Sequence, residues 1–199
     1  MSTLKVTPIK QATIRFTIRG TSPMIQHAWS EKGLTMMRMS PQERRKQPKE
    51  KHDPEAEASA AMYRTDDGKP GLPILALKSA LIGAAHKDLG IEKTLVRKSL
   101  FFPVDDANMC IPMDASEPIC REDIVRIGQN KTDMRYRPEF RKWSAVVECV
   151  VDPSALSDQD VINLVNRAGF GIGIGEWRPE KGGEYGRFEL DTTAPVEHI

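Results

Sequence analysis

The sequence predicts an α+β fold, and the order of its elements is the reason. A strand with clean alternation opens the chain at residues 12–19, and a valine-rich strand lies at 143–151. Helical stretches at 73–89 and from Ser157 to Ala168 each follow a strand. The full order is strand, insertion, helix, several strands, strand, helix, glycine-rich loop, strand, which fits a βαββαβ ferredoxin-like sandwich with extra hairpins. At 199 residues, one domain spanning 1–199 accounts for the length and can bury a real core.

In the first strand, Ala12, Ile14, Phe16 and Ile18 share one face, while Thr13, Arg15, Thr17 and Arg19 share the other. That is a half-buried strand with a basic outer face. Residues 31–53 (EKGLTMMRMSPQERRKQPKEKHD) hold few aliphatic anchors and a basic run at Arg44, Arg45, Lys46, Lys49 and Lys51. So little apolar area does not repay ordering entropy, and the segment reads as a mobile insertion within the domain.

Residues 54–63 (PEAEASAAMY) read as a helix with proline in its first turn. In the next helix Pro73 opens the first turn, Leu77, Leu81, Ala84, Ala85 and Leu89 recur at helical spacing, and Gly90 suits the C′ position. A second short helix is expected at 92–100, followed by short strands and turns across 101–127. WSAVVECVV at 143–151 should be a central strand apolar on both faces. Ser157 with Asp160 forms a capping-box start for the last helix. In GFGIGIG (169–175) glycine alternates with Phe170, Ile172 and Ile174, which would set large residues on one face and bare backbone on the other; EYGRFEL closes as a strand.

A net charge of +1 with 29% charged residues excludes global attraction to a polyanion, so any anion site must come from local clustering. Cys110, Cys120 and Cys149 offer neither a disulfide framework nor a CxxC metal pair. No apolar leader or membrane-length run is present, and a cytoplasmic protein without membrane partners is expected. His27, His52, His86 and His198 show no metal-ligand spacing, and no metal or cofactor is expected. The glycine segment is neither a dinucleotide fingerprint nor a P-loop, because it follows a helix, opens none, and lacks GK[ST].

Two stretches mix basic and aromatic residues. WRPEKGGEYGR sets Trp177, Arg178, Lys181, Tyr185 and Arg187 around Gly182 and Gly183. RIGQNKTDMRYRPEFRKW contains Arg126, Lys131, Arg135, Arg137, Arg141 and Lys142, interleaved with Tyr136, Phe140 and Trp143. Such mixtures suit single-stranded nucleic acid, since cations hold phosphates while rings stack on any base. The competing readings are an ordinary solvated hairpin and a packed glycine loop.

Three stretches together resemble the RAMP superfamily of CRISPR-associated RNA-binding proteins, within it the backbone subunit that coats the guide RNA. IRFTIRGTSPM is similar to that family's opening strand and bend. GLPILALKSALIGAA is similar to its P-x-S-x-K-G-A-L helix entry, with Pro73, Lys78, Ala80 and Leu81 answering in order to its P, K, A and L, and GGEYGRFEL resembles its glycine-rich loop and last strand. Glu180 and Glu184 depart from that loop's basic character. The resemblance, as to a compact relative, implies a modified RRM-like core, a thumb-like insertion, and head-to-tail copies each covering a few nucleotides.

The resulting expectation is a non-catalytic subunit that binds single-stranded RNA or DNA and assembles with copies of itself or other ribonucleoprotein subunits. Arg44, Arg45, Lys46, Arg135, Arg137 and Arg141 would hold the backbone, and Tyr136, Trp177 and Tyr185 would stack. Two alternatives stand beside it. One is an interaction or inhibitor protein without nucleic acid; the other is a metal-independent endoribonuclease with His27 as general base.

Overall fold

The computed structural model describes residues 8–47, 51–85, 89–127 and 131–199; Lys49 and His86 lie outside them. The chain begins with β1 (Ala12–Gly20) and β2 (Met24–Ile25), then α1 (Glu31–Arg38), α2 (Pro41–Lys46) and α3 (Pro54–Ala60). β3 (Gly71–Pro73), α4 (Ile74–Ala84), α5 (Lys93–Ser99), β4 (Leu100–Phe101) and β5 (Cys110–Ala115) follow. Next are β6 (Ile119–Ile127), β7 (Lys131–Phe140), β8 (Trp143–Val151) and α6 (Asp158–Gly171). A 3₁₀ turn at Pro179–Lys181, β9 (Phe188–Leu190) and β10 (Glu197–His198) complete the order.

The fold is α+β with antiparallel sheets. In the larger sheet β1 pairs with β8, β9 and β10, while β8 also pairs with β4 and β5, and β5 with β3. The second sheet runs β2, β7, β6. β1 alternates as its sequence requires: Ile14, Phe16 and Ile18 are buried, with Ile14 opposite Cys149 and Phe16 opposite Val147 on β8. Leu77 and Leu81 of α4 and Leu164 and Val165 of α6 join them in one core. Each such side chain contributes roughly 1.5–3 kcal/mol through burial.

β8 is central, as its valines predict, but only one of its faces is buried. Trp143, Ala145, Val147, Cys149 and Val151 point inward, whereas Val146 is 55% exposed. The helices cover a single face of the sheet, so valine on the other face meets solvent. Burial raises the thiol of Cys149 to about 12 and, with Asp106 and Asp66 nearby, that of Cys110 to about 11. Both stay protonated at neutral pH and pack as small hydrophobes.

Two helix ends differ from the sequence reading. α4 stops at Ala84, and Ala85 is extended and buried against the core, so tertiary packing, and not Gly90, sets its end. α6 begins at the expected Ser157–Asp160 capping box, with Ser157 N–H donating to Asp160 Oδ2 at 2.9 Å. It then runs through Gly169, Phe170 and Gly171. GFG is therefore the last turn of a helix, not an alternating extended piece, because the buried stripe of Val161, Leu164, Val165 and Ala168 carries the helix on to Gly169. The closing strand is correspondingly short, Phe188–Leu190.

Within residues 31–53, read as a mobile insertion, lie α1 and α2. Ser30 caps α1 by accepting from Gly33 N–H, and Ser40 with Glu43 forms a capping box on α2, with Pro41 in its first turn. Neither helix buries a residue, so local capping organises them. Helix α3 packs on β6 and β7. These two strands continue the β5–β8 ladder past the joint at which Ser116 N–H donates to Lys142 C=O, at 2.9 Å.

Candidate nucleic-acid interface

Buried Gln26 anchors the site. Its Nε2 donates to Gly71 C=O and its Oε1 accepts from Tyr63 N–H, each at 2.9 Å, while Ala28 N–H reaches Ala61 C=O at 2.8 Å. These bonds tie the end of β2 to α3 and β3 and fix His27 between them. His27 lines three hollows of about 430, 580 and 800 Å³. Glu176 is shared by the first two, and Trp29 and Arg135 by the last two. One groove thus passes from the glycine loop and α4, past His27, along β7 to α1 and α3.

Its middle is cationic. Arg126, Arg135 and Arg137 line it beside Trp29, whose indole is 68% exposed. The register of the β6–β7 ladder sets Arg121 opposite Arg137 and Asp123 opposite Arg135. Arg137 is only 4% exposed, its ion pair to Asp123 is long at 3.5 Å, and its Nε has no hydrogen-bond partner. A buried guanidinium donor left open is a standing demand for an acceptor. Arg135 pairs with Asp133 at 2.8 Å and sets Nη1 3.5 Å from His27 Nε2.

Burial lowers the pKa of His27 below 6.5, Arg137 and Arg135 lower it further, and Glu176 opposes them. The balance favours the neutral imidazole. Tyr136 also lines the groove, its ring 5.8 Å from that of His52.

The glycine-rich loop is a folded knot at the end of the groove. Gly175 and Gly186 have φ of +84° and +66°, and a Cβ on either would collide with the carbonyl of Ile25 or Ile174 respectively. Glu176 N–H donates to Ile25 C=O at 2.9 Å and Gly186 N–H to Pro23 C=O at 2.7 Å, tying the loop to β2. Gly182 caps the 3₁₀ turn in a left-handed conformation, and Gly183 lies directly under the Trp177 carbonyl. These glycines serve the loop's own backbone.

Arg121 holds the loop's aromatic residues. It donates to Asp123 at 2.8 Å, Glu139 at 2.9 Å and Tyr185 Oη at 3.0 Å, with its guanidinium 5.3 Å from the Trp177 ring centre and 5.1 Å from that of Tyr185. Trp177 and Tyr185 meet edge to face. Of the loop's predicted residues, only Arg178 lines the groove, and it is engaged by Glu180 and the Gly175 carbonyl.

The structure thus brings together His27, Arg135, Tyr136, Arg137 and Arg178. Other residues fall elsewhere. Lys78 lies 4.5 Å over the Phe101 ring, Arg187 5.2 Å from the Phe170 ring, and Arg141 is an exposed partner of Glu139 at 3.8 Å. Arg44 folds back on the carbonyls of Met39 and Met37, with Arg45 and Lys46 exposed beside it, and Lys181 is exposed on the 3₁₀ turn. Trp29, Arg121 and Glu176 were missed. Alternation in ICREDIV sets Arg121 and Asp123 on one strand face, but their partners come from β7 and the loop, beyond any local pattern.

No protein-family model matches the chain, and no curated protein does. Among solved structures it is similar to Cmr6 from Pyrococcus furiosus, at 13% identity, over 92% of this chain and 100% of that one, with a TM-score of 0.41. A superposition that loose carries no function from one chain to the other. Among the described residues no group of three or more His, Cys, Asp or Glu side chains could hold a metal ion, and no helix is long and apolar enough to cross a membrane.

Proposed function

We propose that the protein binds single-stranded RNA or DNA along the groove that passes His27, as a non-catalytic subunit of a larger assembly. The observation that supports it is the buried, incompletely paired Arg137 beside Arg126, Arg135 and the exposed Trp29 indole. Three guanidinium groups would neutralise phosphates while Trp29 and Tyr136 offer ring faces to bases. The strand order β9, β1, β8, β5, with α4 and α6 between successive strands of the chain, supports the ferredoxin-like, RRM-type reading of the core.

Fluorescence anisotropy of labelled oligouridine and oligothymidine against salt tests the reading. Three arginine contacts predict a log–log slope of about −2, and Arg126→Gln or Arg135→Gln should each reduce its size by about 0.7. An affinity indifferent to salt, or no binding at low salt, would overturn the proposal. The strand should emerge uncut from the mixture. Light scattering should show added copies as the strand lengthens; a constant mass would remove assembly from the reading.

A further inference from the structure

The hollow of about 430 Å³ at the loop end of the groove differs from the cationic stretch in its chemistry. Met24, Ala76, Met109 and Ile172 give it apolar walls, and Met109 is held at φ +53°, a conformation a side chain of that size rarely adopts. At its mouth is Glu176, partly buried, whose carboxylate has no hydrogen bond or ion pair among the described residues. Close to it, also on the lining, is the half-buried Tyr63. Exposed Asn108 adds an amide, beside His27 and Arg178 on the same lining.

The Glu176 carboxylate, unpaired and only partly buried, sets two acceptor oxygens beside apolar walls, and a ligand that covers it must supply donors in place of water. An unstacked nucleobase presents a flat apolar body and one polar edge, the shape and polarity such a hollow takes. Among the four bases only guanine carries two adjacent donors, N1–H and N2–H, on its Watson–Crick edge. They match the two oxygens of one carboxylate. Adenine and cytosine would each bring a ring-nitrogen acceptor against Glu176, and uracil a single donor flanked by carbonyls. Tyr63 Oη and the Asn108 amide can donate to guanine O6.

We propose that this hollow is a guanine-selective base pocket, with Glu176 as its specificity-determining residue. The inference rests on the nucleic-acid reading of the groove, of which it is one end. The experiment compares oligouridine with the same strand carrying one central guanosine, adenosine or inosine, alongside free GMP and AMP. The guanosine strand should bind about tenfold or more tightly than the adenosine strand. Inosine, lacking the 2-amino group, should fall between them. Glu176→Gln should abolish the preference for guanosine over adenosine, read as the ratio of the two affinities measured on the variant itself, and a folded variant is confirmed by an unaltered urea midpoint.

Equal affinity for all the strands would overturn the pocket and leave the groove standing. Binding of GMP over AMP, lost in Glu176→Gln, with no binding of any strand would keep the pocket and overturn the groove. Absence of every one of these interactions would overturn both.

Discussion

Two charged, proline-containing regions behave oppositely. ERRKQPKEK, around α2, and WRPEKGGEYGR, after α6, each mix cations, carboxylates and proline, and from their residues alone each is a candidate for holding a nucleic-acid strand. The described start of the first lies in α2, which buries nothing and rests on its local capping box. The second is knotted into the fold through left-handed glycines, backbone bonds to β2 and the Arg121 clamp on Trp177 and Tyr185. Charge content therefore does not say whether a segment is anchored. Backbone contact at a distance does.

The largest break in that contrast should come from Gly186→Ala. The new methyl meets both a positive φ and the Ile174 carbonyl, so a loss of about 3 kcal/mol or more is expected in urea unfolding. Gly182 is the matched control: its φ is also positive, but nothing lies within 4 Å of an added Cβ, and Gly182→Ala should lose only about 1–2 kcal/mol. Similar losses for both would show that conformation, and not close approach, sets the loop.

Arg121→Met comes next. It strips Asp123, whose side chain is 3% exposed, of its shorter ion pair, and Glu139 of its 2.9 Å partner. A loss of about 3 kcal/mol is expected, with red-shifted emission from Trp177 as the loop loosens from the hairpin. Unchanged emission would mean that the glycine backbone alone holds the indole.

The smallest effect belongs to the other region. Ser40→Ala removes the α2 capping box, worth about 1 kcal/mol to that helix, and should leave the global unfolding midpoint unmoved. The same variant should speed tryptic cleavage at Arg44, Arg45 and Lys46, which in the parent chain should already precede cleavage at Lys181 and Arg187. First cleavage in the glycine loop would reverse the comparison.

Much of the fold was legible. Alternation placed β1, valines placed β8, and Ser157 with Asp160 placed the start of α6, because each signal lies within a few residues of its effect. The ends of α4 and α6 were not legible, since packing against partners far along the chain decided where those helices stop. At the site, the arginines and Tyr136 of β7 could be named from composition. That Trp177 and Tyr185 turn onto Arg121, while Trp29 and Glu176 face the groove, could not.

The sequence by itself determined the antiparallel α+β character, the buried face of β1, the helix caps, and the presence of two basic, aromatic-bearing stretches. These are local matters of periodicity, capping and side-chain chemistry. Only the tertiary structure decided which cations are left with open donors and which are clamped by carboxylates. The register between β6 and β7 sets Arg121, Asp123, Arg137 and Glu139 against one another, and the pinning of Gln26 gathers three hollows at His27. Both depend on contacts between residues far apart in the chain, where sequence spacing carries no distance information.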